Sequence, residues 1–196
     1  MEEELHTIKA GIAANDQKAF GQLFALFYKR LYRFSLSILR IPELANEVVE
    51  DVFLKLWSNR SGLSAINNLS VYLYVAVKNQ SLNKLSLKAN EWISSGLDEM
   101  MMNVVAVDND PYTQMITGEM LNKVNRAIEE LPPRCKMIFK LVREDGLKYK
   151  EVAAILNISV NTIDVQMATA VKRISESLGI AKNIPVHPFS KKIKKS

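Results

Sequence analysis

The reading of the fold turns on "VAAILNISVNTIDVQMA", residues 152–168, which has the pattern of two short helices around a tight turn. Asn157 is able to adopt the left-handed conformation that ends a helix. Ser159 is placed to cap the next helix by accepting from the amide of Thr162. A turn of about three residues sets such helices at roughly 90–120° to one another, and Ala153 and Ala154 offer the small surface that a close approach needs. Along the second helix Val160, Ile163, Met167, Val171 and Ile174 recur at three and four and form the expected buried stripe. Facing away are Asn161, Thr162, Val165, Gln166, Thr169 and Lys172.

That outward set is chemically able to read a DNA major groove. Asn and Gln pair with an adenine edge, and Thr or Val contacts a thymine methyl; the same residues also make an ordinary solvated face. The first two turns of the second helix carry no lysine or arginine; the cations stand outside them: Arg143, Lys148 and Lys150 precede the hairpin, and Lys172 and Arg173 follow those turns. Phosphate contacts supply most of the affinity and can come from such flanks. Asp164 favours the helix dipole but opposes phosphate.

Outward from the hairpin, residues 112–178 read as one helical unit: a helix through "EMLNKVNRAIEEL", a break at Pro132 and Pro133, a helix to Glu144, the turn "EDG", and the two hairpin helices Lys148–Leu156 and Val160 to about Leu178. Residues 1–87 form another. Asn15 or Asp16 caps a helix with Phe20, Leu23, Phe24, Phe27, Leu31, Phe34 and Ile38 in one stripe. Pro42 suits the first turn of the next helix, which buries Leu44, Val48, Val49, Val52, Phe53 and Leu56. After "SNRSGLSAINN" a third helix is expected from Ser70 to about Leu87. Periodicity fades over 88–111, an acidic connector, and 179–196 is a basic tail. With no alternating strand pattern, the predicted class is all-α: two small helical domains joined by a flexible acidic linker, the C-terminal one a helix-turn-helix.

Charge is informative only when divided. Residues 1–87 and 119–178 each carry ten basic against eight acidic residues; 88–118 carry one against five, and 179–196 five against none. The overall +5 thus equals the tail's contribution, and any DNA argument must rest on local placement. The lone Cys135 reads as a small core residue, with no histidine near it. His6 and His187 lack metal-ligand neighbours. No phosphate-cradling glycine loop or nucleophile motif points to catalysis, so no enzyme, cofactor, metal or small-molecule substrate is expected. No apolar run spans a bilayer, and "MEEELHTIKAG" is unlike a signal peptide; the expected location is the cytoplasm.

The run "AIEELPPRCKMIFKLVREDGLKYKEVAAILNISVNTIDVQMATAVKRI" resembles the promoter-binding C-terminal domain of extracytoplasmic function (ECF) sigma factors of bacterial RNA polymerase. The segments "FGQLFALFYKRLYRFSLSILRIPELANEVVEDVFLKLW" and "NLSVYLYVAVKNQSLNKL" resemble their N-terminal domain. The resemblance implies a factor that binds core RNA polymerase, recognises duplex and melted promoter DNA, and opens the promoter by capturing unpaired bases. It implies core-polymerase contacts at Glu43, Glu47, Glu50 and Leu54. For the near-start element it implies Asn67, Asn68, Tyr72, Lys78, Asn79 and Asn83, with "RSGLSAINN" placed like the pocket for a flipped base. Tyr74 falls within the apolar stripe and reads as core. Upstream promoter contacts fall to Arg143, Lys148, Lys150, Asn161, Thr162, Val165, Gln166, Thr169, Lys172 and Arg173. Where Asn161, Val165, Gln166 and Thr169 stand, members of the family often carry Lys, Asn, His or Arg, and Arg, respectively. The family also implies an anti-sigma partner, often membrane-bound. The alternative is a helix-turn-helix regulator with an N-terminal sensing or dimerisation domain; a helical scaffold is a third reading.

Overall fold

The computed structural model describes residues 2–94 and 119–180. Helices and one 3₁₀ turn make up all of the regular structure among those residues, in agreement with the all-α expectation. The chain divides into two compact units, residues 1–109 and 110–196.

The first unit begins with a helix that the sequence reading did not place, α1 (Glu2–Ala13). Its Ile8 and Ile12 are buried. α2 (Gln17–Leu39) starts where Asp16 accepts a hydrogen bond from the Lys18 amide, and stops where Arg40 turns left-handed at φ 57°. α3 (Pro42–Ser58) opens on the expected proline, whose missing N–H costs nothing at that position. A 3₁₀ turn, Arg60–Ala65, leads to α4 (Leu69–Ser94). α4 runs seven residues past the expected end at Leu87, because "KANEW" contains no breaker before Gly96. The rest of the acidic connector lies outside the described residues, as does the basic tail from residue 181.

α2, α3 and α4 share one core. Leu23, Phe27, Leu31 and Phe34 of α2 meet Val48, Val49, Val52, Phe53 and Leu56 of α3, and Leu73, Tyr74 and Val77 of α4. Tyr74 is 1% exposed and packs edge-on to Phe34 with ring centroids 5.2 Å apart, as its place in the stripe predicted. Phe24 departs from the expected stripe: it is 36% exposed and stacks on Tyr28 at 4.7 Å. Within this apolar packing, the hydroxyls of Ser35 and Ser81 are fully buried and lie 3.0 Å apart, one from α2 and one from α4.

The second unit contains α5 (Glu119–Glu129), α6 (Pro133–Arg143), α7 (Tyr149–Leu156) and α8 (Val160–Ser177). Leu131, Cys135 and Ala170 form a buried cluster, flanked by Phe139 and Ile174. Glu129 grips both Lys136 (2.8 Å) and Lys140 (2.6 Å), tying the end of α5 to α6. Gly146, at φ +72°, makes the turn before Leu147, a conformation that a side chain would strain.

Candidate functional site

The α7–α8 hairpin is built by the chemistry its sequence announces. Asn157 takes the left-handed conformation at φ 54° and ends α7, its N–H donating to the Ala153 carbonyl. Ser159 Oγ accepts from the Thr162 amide at 3.0 Å. At the start of α7 the Glu151 carboxylate accepts from the Lys148 amide at 2.7 Å, so both helices enter the hairpin with an amide satisfied. Ala153 is buried and lies at the close approach, whereas Ala154 is exposed.

α8 presents the expected face with several alterations. Val165 is 55% exposed and Asn161 is exposed. Gln166 is half-buried, and its backbone carbonyl accepts from the Cys135 thiol at 3.3 Å. Thr162 spends its hydroxyl on Ser159 Oγ at 2.8 Å, and Thr169 donates its own to the Val165 carbonyl at 2.8 Å. Neither threonine therefore has its hydroxyl hydrogen-bonding free in the way Gln166 has its amide. Val160, expected in the buried stripe, is 42% exposed; as the first residue of α8 it sits beyond the end of the core, and Ala170 takes its place among the buried positions. Asp164 is half-buried, and burial together with its carboxylate pushes the Tyr149 hydroxyl up while Arg143 pulls it down. The Asp164 carboxylate thus acts on the tyrosine at the start of α7. Arg143, Lys148, Lys150, Lys172 and Arg173 are all exposed; Lys172 lies 3.9 Å from Glu176, a surface pair of small worth.

In the first unit, Glu43, Glu47, Glu50 and Leu54 are all exposed. At about 100° per residue they fall within a strip some 60° wide on α3. Leu54, at 63% exposure, is the most exposed large apolar side chain among the described residues of the unit. The strip is partly neutralised: Glu47 pairs with Lys84, whose ammonium is held above its ordinary range chiefly by that hydrogen bond, and Glu50 accepts from the Asn46 amide at 2.8 Å. Asn46 in turn accepts from the Tyr28 hydroxyl, which burial, with help from Glu50 and Tyr32, pushes up.

On α4, Tyr72, Asn79 and Asn83 share one exposed face, within about 40° of arc. Lys78 is half-buried and lies to one side, about 120° from Tyr72 around the helix. Asn67 and Asn68 are exposed at the entry to α4, but the Asn68 side-chain oxygen is already accepting from the Val71 amide at 3.0 Å as a cap. Sequence reasoning missed two supporting groups, Gln80 and Lys84. Gln80 donates to Asp51 at 2.9 Å and accepts from Lys55 at 2.8 Å. These bonds and the Glu47–Lys84 pair link α3 to α4; their signal in the sequence was a run of polar residues on the side of α4 next to its buried stripe.

Among the described residues no group of His, Cys, Asp and Glu is arranged to hold a metal ion, and no helix is long and apolar enough to cross a membrane. The two units have counterparts in a single family. The model of sigma-70 region 2 matches residues 23–91, and that of sigma-70 region 4 matches residues 121–181. Both regions, in this order in one chain, define a sigma-70-type transcription initiation factor.

Relatives of similar length sharpen the class. The ECF RNA polymerase sigma factor SigK of Mycolicibacterium vanbaalenii is 22% identical over 184 residues, covering 91% of this chain and 91% of that one. SigW of Bacillus subtilis is 22% identical over 163 residues (80% and 87% covered), and the sigma-E factor of Escherichia coli K12 is 26% identical over 159 (78% and 82%). Among solved structures the fold is similar to the sigma factor RpoE from Bartonella quintana in complex with the anti-sigma factor NepR, with a TM-score of 0.62 at 22% identity over 84% of this chain and 99% of that one. It is also similar to CnrH in complex with the cytosolic domain of CnrY, with a TM-score of 0.54 at 18% identity over 90% and 97%. The chain belongs to the ECF sigma factors.

Proposed function

We propose that this sigma factor binds core RNA polymerase through the α3 strip Glu43, Glu47, Glu50 and Leu54. On this reading it captures the near-start promoter element with the α4 face and the loop before it, and reads the upstream element with α8. The observation that carries the reading is the presence of regions 2 and 4 in one chain, each with its own exposed polar face. An acidic strip with a projecting leucine suits a basic partner surface containing one apolar hollow. The neutral α8 face, with cations before and after it, suits base-edge contacts within the hairpin and phosphate contacts at its flanks. Opening is then a binding process: the bases captured when the duplex parts are held in the single-stranded state, without nucleotide hydrolysis.

The site of action is the cytoplasm, where polymerase and promoter are. With α4 carrying the first domain on to Ser94, residues 95–111 serve as the acidic tether to a domain of 112–178, and 179–196 add nonspecific attraction to nucleic acid. An anti-sigma factor is the expected inhibitory partner, since the similar sigma factor RpoE was captured with one. A helix-turn-helix regulator with a sensing or dimerisation domain is not favoured, because the first unit matches region 2. In vitro transcription from a genomic promoter library, with core polymerase and with or without this protein, tests the reading. Discrete new start sites are expected only when both are present; active core with no new starts on any template refutes it.

A further inference from the structure

The loop proposed to receive an unpaired base is held from beneath by a helix that lies upstream of the region matched to the family. α1 precedes residue 23, where the match to region 2 begins. It packs against both α2 and the 3₁₀ turn Arg60–Ala65. Gly11 permits the approach to α2: a Cβ there would lie 2.7 Å from the Ala19 Cβ. With α1 so placed, the Lys9 ammonium reaches across 57 positions of sequence and donates to the Ile66 carbonyl at 2.9 Å. Ile66 is the residue that closes the 3₁₀ turn, its amide donating to Leu63 at 3.0 Å. Leu63 is buried at 2% exposure. The loop is therefore fastened at three successive points: Leu63 in the core, Ile66 on Lys9, and Asn68 on the start of α4. Between the last two, Asn67 is exposed.

We infer that Lys9 is a positioning residue for near-start base selection. A pocket that discriminates one extruded base from three others must hold its polar atoms in place before the base arrives. The carbonyl of Ile66 immediately precedes Asn67, and its bond to a charged donor fixes the peptide plane from which Asn67 departs. Without the ammonium that carbonyl turns to water, and the loop samples several arrangements of which one fits the base. Lys9 touches no DNA in this scheme; it acts through the loop.

The inference rests on the sigma-factor reading, and the experiment separates the two. The full chain, assembled with core polymerase, is titrated with promoter fork templates that carry each of the four bases, or an abasic site, at the near-start unpaired position. Wild type is expected to prefer one base. Lys9→Met, which keeps the apolar stem, is expected to weaken binding of the preferred template roughly tenfold, the worth of one charge-assisted hydrogen bond, and to leave the abasic template within about twofold of wild type. Lys9→Arg restores the preference, and Lys9→Gln lies between. Thermal unfolding of each variant checks that the unit remains folded. Unchanged base preference in Lys9→Met overturns the inference while leaving the sigma reading intact, and so does an equal loss on all templates, abasic included. Failure of the wild-type complex to bind any fork template overturns both.

Discussion

Replacing Leu54 by alanine separates a docking residue from a core residue. Leu54 lies on the acidic strip of α3 and is 63% exposed, so most of its side chain contributes nothing to folding. Burying a whole leucine side chain is worth about 1.5–3 kcal/mol. A partner can cover only the part that folding has left in water, 63% of the residue, which leaves about 1–2 kcal/mol for docking. Alanine retains the Cβ and forfeits most of that, so affinity for core polymerase is expected to fall roughly 5- to 30-fold. The measurement is an equilibrium titration of fluorescently labelled protein with core at fixed salt, alongside thermal unfolding of the protein alone. The unfolding midpoint should hardly move, because an exposed side chain of this kind has little to lose on unfolding. Unchanged affinity would refute the assignment of the strip. A drop in affinity accompanied by a fall of several degrees in the midpoint would refute the arithmetic, since it would mean that Leu54 supports the fold.

Ser159→Ala removes the oxygen that caps α8 and should cost about 1 kcal/mol, read as an earlier urea midpoint for the second unit within the full chain; Ser159→Asp should keep most of the stability. Gln166→Ala is expected to change the preferred upstream sequence, with about 1–3 kcal/mol of discrimination lost at one base pair, whereas Lys148→Ala should weaken all sequences alike and lower the salt slope by about one. Intact sequence preference in Gln166→Ala would show that the register assigned to α8 is wrong. Cys135 is buried, and burial pushes its thiol up despite the opposing charge of Arg173. An acid whose ionisation is suppressed by folding favours the folded state less as pH rises through the ordinary thiol range, because only the unfolded chain releases its proton. Alkylation by iodoacetamide at mildly alkaline pH should accordingly be at least about tenfold slower in the native protein than in urea; equal rates would show the thiol to be open.

The hairpin was readable because each of its parts has a local cause. Asn157, Ser159 and the spacing of Ile163 and Met167 act over a few residues, and the structure contains all three features. The long stripes of α2 and α3 were readable for the same reason. α1 was not, although Leu5, Ile8 and Ile12 recur at three and four. Its apolar stripe has only three members, and it is secured by contacts with residues far along the chain, including Lys9 with Ile66. Side-chain availability was equally hidden. Nothing in the order of residues says that the Thr162 hydroxyl is taken up by that of Ser159, or that Asn68 gives an oxygen to capping. The family roles of the α3 and α4 residues came from resemblance; their exposure and shared faces are geometry, which their spacing alone foreshadowed.

The buried pair of Ser35 and Ser81 bears on how such a protein can change over generations. An apolar seam between two helices tolerates sliding by a turn; a seam holding two hydroxyls that satisfy each other does not, since displacement by about 5.4 Å would strand both at roughly 1–3 kcal/mol each. Ser81 lies on α4 between Asn79 and Asn83, so the same pair fixes how far along α2 those two amides are displayed. Exchange of one serine for an aliphatic residue leaves its mate buried and unbonded, whereas exchange of both restores a dry contact that no longer dictates alignment. The two positions are thus a single heritable unit, set 46 residues apart, and drift at either is coupled to where the DNA-facing side of α4 sits.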